Sequence, residues 1–273
     1  MSRLSRIVYV VSRAHSGSTL LDLLVSSHSD VQSVGEAKMF QLEPTKRCTC
    51  GAPSWSTCEF WSAVDETMRG RGGPGLDGIA IDSEDADTFA HHNRLFFEAV
   101  SSVSGKSVVL DSSKDLSRMK RLLASDLPTS VIHLVRHPCG VVYSNVRKGS
   151  RLGRECRMYV REHLGTAHRL LGKAPIRVRY EALASRPAEE LERIMEGLGL
   201  AFEPEQLTGW KQRERHNFGG NRMRFDSSEE IRLDEAWRNE LSARLVALDE
   251  GRRGLSAYRA GGASTRKWID ERR

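Results

Sequence analysis

The sequence predicts an α/β fold: a central, mainly parallel β-sheet flanked by helices, in a single domain. Three observations carry this expectation. Apolar and β-branched runs of strand length recur at residues 7–11, 31–34, 107–110, 130–135 and 176–180, the composition of buried strands. Segments with apolar residues at helical spacing lie between several of them, and such alternation builds parallel sheets through right-handed crossovers. No internal repeat or contrasting linker divides the 273 residues, a length that supports one large core.

The first strand is Ile7, Val8, Tyr9, Val10 and Val11, and a helix containing Leu20, Leu21, Leu23 and Leu24 follows. Between them stand Ser12, Arg13, Ala14, His15, Ser16, Gly17, Ser18 and Thr19. Small and hydroxylic residues let the backbone pass close to a ligand, and amides at the positive end of a helix attract an anion such as phosphate. The turn lacks the Gly-Lys-Ser/Thr of an NTPase P-loop, and so lacks the lysine that reaches β- and γ-phosphates. A second short strand around residues 31–34 leads to Gly35 and Glu36.

Residues 46–61 read as a loop carrying Cys48, Cys50 and Cys58. Residues 69–85 hold Gly70, Gly72, Gly73, Pro74, Gly75 and Gly78 and read as a flexible loop with little regular structure. Together they form a cysteine-bearing and glycine-rich insertion over about 46–86. A helix over 86–103 and a strand over 107–110 come next. The strand at 130–135 delivers Arg136 to its carboxyl end, where open parallel sheets place ligand-binding groups. Pro138 suits the first turn of a helix and places Ser144 near its middle. A guanidinium fork and a hydroxyl are a suitable pair for a second phosphate.

Arg147, Lys148, Arg151, Arg154, Arg157 and Arg161 share helical spacings, which reads as a solvated face or as a groove attracting an acidic acceptor. A strand at 176–180 and a helix at 187–197 extend the sheet. A C-terminal helical segment is expected over about 229–273, with its helix running through Leu248.

Two of these segments resemble the phosphosulfate and 3′-phosphate signatures of sulfotransferases that use 3′-phosphoadenosine-5′-phosphosulfate (PAPS). They are the strand-turn-helix with Ser16, Gly17, Ser18 and Thr19, and the strand-Arg136-helix with Ser144 eight residues on. Arg179, Tyr180, Glu181, Ala182, Leu183 and Pro187 resemble a third stretch of that family. The closest likeness is to its bacterial, carbohydrate and tyrosylprotein-like branch. The resemblance implies a P-loop-like sulfotransferase fold over residues 1–273. It also implies PAPS as donor co-substrate, adenosine 3′,5′-bisphosphate (PAP) as product, and no required metal.

In that frame Ser16, Gly17, Ser18 and Thr19 are expected at the 5′-phosphosulfate, with Thr19 also a candidate N-cap, and Arg136 and Ser144 at the 3′-phosphate. Glu36 matches the family's Gly-Glu carboxylate and is the candidate general base. His28 is a rival base with a structural alternative. Lys114 resembles a lysine that contacts the transferring group. His15 stands where relatives carry Arg or Lys before Ser-Gly, and Lys114 with His15 is the expected charge-stabilising pair. Arg13 is expected to reach over the site or to brace the loop. Arg222 and Arg224 are expected at the 3′-phosphate or adenine, with Phe218 or Phe225 stacked on the base.

Net charge +6 and a pI near 9.2 suit a polyanionic ligand. Basic and acidic residues are interspersed and no nucleic-acid motif occurs, so no nucleic-acid partner is expected. No 18-residue apolar run or separate signal-peptide core occurs, which predicts a cytoplasmic enzyme without a membrane partner. The expected acceptor is the hydroxyl of a small metabolite or glycan, with a homodimer as the possible assembly. A P-loop-type kinase using ATP and a non-catalytic nucleotide-binding protein remain alternatives. Cys48, Cys50 and Cys58 read as a packed or disulfide-tied loop, as a redox pair, or as three ligands of a zinc site whose fourth ligand the neighbouring sequence does not supply.

Overall fold

The computed structural model describes residues 4–42, 47–208, 210, 213–225 and 230–240. Their five strands are β1 (Arg6–Val11), β2 (Val31–Gly35), β3 (Val108–Lys114), β4 (Thr129–Val135) and β5 (Ile176–Arg179). All pairings are parallel, in the order β2-β3-β1-β4-β5. β1 is therefore central, and every turn that leaves a strand's carboxyl end opens on the same edge of the sheet.

The helices are α1 (Ser18–Val25), α2 (Met39–Leu42), α3 (Glu59–Gly70), α4 (Ala86–Ser104), α5 (Leu116–Ala124), α6 (Pro138–Val146), α7 (Leu152–Arg169), α8 (Tyr180–Ser185), α9 (Pro187–Leu198) and α10 (Trp237–Glu240). Alternation along β1 divides the core between the two faces of the sheet. Ile7, Tyr9 and Val11 pack with Trp61, Val64, Phe96, Phe97 and Met119 on one face. Val8 and Val10 pack with Leu21, Leu24, Leu183, Leu191 and Ile194 on the other.

Several boundaries differ from expectation. β3 continues four residues beyond Leu110, because Asp111, Ser112 and Ser113 find partners inside the protein. Asp111 pairs with Arg118 at 2.9 Å, both fully buried, and Ser112 bonds to Asp22. α6 spans nine residues, so Ser144 lies in its last turn instead of its middle. Gly149, at φ +93, follows soon after that end. Helix α3 was not anticipated, although Trp61, Val64 and Met68 recur at its buried spacing. Residues 71–85 lack helix and strand, as expected, but are packed down by buried Leu76, Ile79 and Ile81. Residues 230–236 are not helical, and the expected helix beyond residue 240 lies outside the described residues.

Candidate functional site

The turn after β1 is built on two left-handed residues, His15 at φ +67 and Gly17 at φ +89. Gly17 caps α1, and a Cβ there would lie 2.3 Å from Tyr180 Cδ2. The glycine thus lets the α1 amino terminus and the Tyr180 ring share one wall. The first-turn amides have no partner within their own helix. Ser18 and Thr19 line a cavity of about 760 Å³ with His15, Glu36, Lys114, Arg136, Ser144, Lys148 and Tyr180.

Burial, then the charges of Lys148, Arg136, Lys114 and Arg13, push the His15 imidazole below its usual pKa. His15 therefore stands within a field of cations that favours its neutral form. That field is what a polyanion would meet on entry.

Arg136, at the end of β4, is buried and lies over the Tyr180 ring at 4.5 Å. It donates to the His15 carbonyl at 3.0 Å and to the Asp234 carboxylate at 2.9 Å. Its Nε is buried beside Gly140 with no hydrogen-bond partner. Ser144 lines the same cavity, its hydroxyl donating back to the Gly140 carbonyl at 2.9 Å. Arg136 holds Asp234 well enough to keep its carboxyl below the usual range, against the opposing effect of burial.

Glu36 and Lys114 meet at the opposite wall. Lys114 Nζ donates to Glu36 Oε1 at 2.6 Å, and the Gly220 amide donates to the same oxygen at 2.8 Å. Lys114 is left-handed at φ +65, a strained conformation for a residue with a Cβ. Lys114 also lines a second cavity of about 310 Å³ together with Arg13, Ser16, Lys38, His133, Glu162 and His163. Lys114 therefore borders both chambers, with its ammonium turned to Glu36.

Beneath Glu36 lies a buried carboxylate, Asp22, raised in pKa by burial. Ser33 Oγ and Asn217 Nδ2 donate to it, each at 2.8 Å, and Ser112 donates as well. Asn217 belongs to the late segment that also supplies Phe218, Gly219 and Gly220. The Glu36 amide donates to the Phe218 carbonyl at 2.8 Å, and a Cβ on Gly219 would lie 2.7 Å from the Glu36 side chain.

A family model described as the sulfotransferase family matches residues 8–204. The chain belongs to the sulfotransferase family. Its fold is also that of two solved domains. The sulfotransferase domain from the curacin biosynthetic pathway is 18% identical, with a TM-score of 0.55 over 91% of this chain and 98% of that one. The sulfotransferase domain of the Synechococcus PCC 7002 olefin synthase is 17% identical, with a TM-score of 0.51 over 96% of this chain and 94% of that one. No curated protein is significantly similar in sequence. No helix among the described residues is long and apolar enough to cross a membrane.

The structure gathers Gly17, Ser18, Thr19, His15, Glu36, Lys114, Arg136 and Ser144 of this sulfotransferase around one cavity. Other candidates are placed elsewhere. Arg13 bonds to Glu155 at 2.5 Å and to Glu162, bracing the turn against α7. Ser16 is buried toward the smaller chamber. Thr19 is not an N-cap; its hydroxyl accepts the Asn221 amide at 3.1 Å and so tethers the late loop. Arg224 bonds to the Gly219 carbonyl and stacks on Phe225 at 4.6 Å, beneath Glu36 and apart from Arg136 and Ser144. The Arg222 side chain lies outside the described residues.

Phe218 cannot stack on a base: it is buried against Phe40 and Trp61. His28 is held by the Ala201 carbonyl and the Asp30 amide, each at 3.0 Å, in a structural role. Arg151, Arg154, Arg157 and Arg161 form a solvated face, while Lys148 alone of the basic series lines the large cavity. Lys148 was named within that basic series, whereas sequence reasoning missed Tyr180, Asp234 and Asp22 as site residues. Tyr180 lay inside the third family-like stretch, which was the available signal; the others have no motif of their own.

Proposed function

We propose that the protein moves a sulfuryl group from PAPS to an acceptor hydroxyl, releasing PAP. The observation that carries this reading is the single cavity of about 760 Å³ that joins the α1 amino terminus, Arg136 with Ser144, and the Glu36–Lys114 pair. A donor with phosphates at both the 5′ and 3′ positions fits these two anion-binding ends.

PAPS supplies an activated sulfur–oxygen bond to a phosphate leaving group. In the proposed reaction the acceptor oxygen bonds to sulfur as the bond from sulfur to the 5′-phosphate oxygen breaks. The acceptor proton passes to Glu36, and the electron pair of the broken bond stays on the phosphate. In the resting protein Lys114 is paired to Glu36, which occupies one carboxylate oxygen. When an anion arrives, Lys114 exchanges the carboxylate for the oxygen that gains charge, and the same movement frees Glu36. His15 donates one hydrogen bond to the transferring group. The smaller chamber beside Lys114 is the proposed acceptor side, and its volume favours a small metabolite or the end of a glycan.

Calorimetric titration with PAP, adenosine 5′-phosphate, and ATP with magnesium tests the donor. Tight binding of PAP that depends on the 3′-phosphate and needs no metal supports the reading. Preference for ATP with magnesium, or no binding of PAP, overturns it.

A further inference from the structure

Cys48, Cys50 and Cys58 gain in three dimensions the partner that their own stretch of sequence lacks. His216 comes from 158 residues beyond Cys58, and its Nδ1 lies 3.3 Å from Cys58 Sγ. Cys50 Sγ and Cys58 Sγ are 3.6 Å apart. All four candidate ligand atoms lie within 4.8 Å of one another. Zinc–sulfur bonds of about 2.3 Å span a tetrahedron whose edges are about 3.8 Å, so small side-chain shifts suffice to close this set around an ion.

The surroundings are arranged for ligation. Burial disfavours the Cys48 and Cys58 thiolates, and the Cys50 amide at Cys48 Sγ and the Trp61 amide at Cys58 Sγ oppose it in part. Cys48 and Cys58 are buried while Cys50 is exposed, so the cluster has a sealed floor and an entry side. His216 is stacked flat on Phe60, with ring centroids 4.7 Å apart, and its carbonyl accepts the Trp61 Nε1 hydrogen at 2.7 Å. With Nδ1 turned to the sulfurs, its Nε2 faces the Glu214 carboxylate at 3.5 Å. A carboxylate on the far nitrogen fixes the tautomer of a ligating histidine and raises its basicity.

We propose that Cys48, Cys50, Cys58 and His216 form a structural zinc site. Three thiolates and one imidazole are a soft, closed donor set that leaves no coordination position for substrate. The site is separate from sulfuryl transfer. Its role is to staple residues 213–220 to the cysteine loop, where Thr49 already accepts the Asn217 amide at 2.8 Å and donates to the Arg215 carbonyl at 2.6 Å. That segment carries the Gly220 amide and the Phe218 carbonyl that hold Glu36. No disulfide joins any of the five cysteines, so the thiols are available for the ion.

The test is metal analysis of the full chain, produced with zinc in the medium and purified without chelator. The expected result is about one zinc per chain, falling at least tenfold in Cys50→Ser and His216→Ala and unchanged in Cys156→Ser. Because the variants can fail for reasons of folding, the wild-type chain is also exchanged with cobalt(II). Thiolate-to-cobalt charge-transfer absorption together with intense tetrahedral d–d bands supports the site. Zinc no higher in wild type than in Cys50→Ser, a cobalt spectrum without thiolate bands, or a Cys50–Cys58 disulfide in the zinc-supplied protein each overturns it.

Discussion

Lys114 Nζ lies 2.6 Å from Glu36 Oε1, and the two residues arrive side by side at the carboxyl ends of neighbouring parallel strands. Glu36 follows the edge strand β2, whereas Lys114 ends β3, the strand between that edge and the central β1. Each is a counter-ion to the other, so altering one changes the state of the other. Glu36→Gln is expected to lower single-turnover sulfuryl transfer by about 100- to 10,000-fold while PAP affinity changes by no more than a few-fold. Rapid-quench kinetics with a verified acceptor, run beside PAP calorimetry, checks both halves. Wild-type turnover in Glu36→Gln would remove Glu36 as the base.

Arg136→Ala is expected to weaken PAP by about 10- to 100-fold, the range of a charge-assisted contact, and to leave adenosine 5′-phosphate nearly unaffected. Asp234→Asn is expected to act in the opposite direction. It removes the carboxylate that bonds to Arg136 at 2.9 Å in the ligand-free protein, so PAP should bind several-fold more tightly. Calorimetry on the two variants provides the comparison; equal losses for both nucleotides in Arg136→Ala would place that side chain outside the 3′ site.

Gly17→Ala forces a Cβ to within 2.3 Å of Tyr180 at φ +89. The left-handed conformation alone costs about 1–2 kcal/mol, and displacement of the ring adds to it. Thermal unfolding should show a lower Tm and calorimetry a weaker PAP site, because Tyr180 also supports Arg136.

Arg118 is fully buried and donates to Asp111 at 2.9 Å, to the Ile81 carbonyl at 2.5 Å and to Asn93 at 2.7 Å. Arg118→Ala strands the Asp111 carboxylate in the core and is expected to cost about 3–5 kcal/mol. Urea unfolding followed by circular dichroism measures it. Replacing both partners by apolar residues should cost less than removing Arg118 alone.

Burial lowers His133 to a pKa of about 3 and His163 to about 4. The unfolded chain binds protons on both rings as pH falls through about 6.5, whereas the folded chain resists until much lower pH. Their contribution to stability is thus full above pH 6.5 and is lost progressively below it. The loss approaches about 1.4 kcal/mol per pH unit for each ring. Tm measured from pH 7 to pH 4 should fall, and the His133→Gln, His163→Gln double variant should fall less steeply.

The strand-turn-helix at β1 and the strand-Arg136-helix at β4 were legible because each is a contiguous string whose chemistry follows from its order. Glu36 and Lys114 were legible as candidates through the family resemblance, but their direct contact was not. The pairing depends on the neighbouring positions of β2 and β3 in the sheet, which no local pattern encodes. Arg13 illustrates the limit from the other side. The sequence left it either reaching over the site or bracing the loop, and Glu155 and Glu162 on α7, distant in the chain, select the brace. Helix α3 was overlooked because its aromatic residues were grouped with the cysteine loop rather than counted with Val64 and Met68. Asp22 and His216 lay beyond motif reading altogether, since their partners are distant in the chain.

Phe218 joins the sheet's edge at Gly35 by a parallel bridge, and Gly220 clamps a carboxylate 184 residues earlier. All five strands precede this clamp in the chain and are synthesised before it. A nascent chain can therefore assemble its sheet while Glu36 still lacks the amide that orients it. Contacts of such long sequence separation form late and slowly. The late segment thus does two jobs at once, closing the core with Phe218 and fixing Glu36 with Gly220. A chain interrupted before residue 213 would lack both, and the buried Asp22 would lose the Asn217 amide as well.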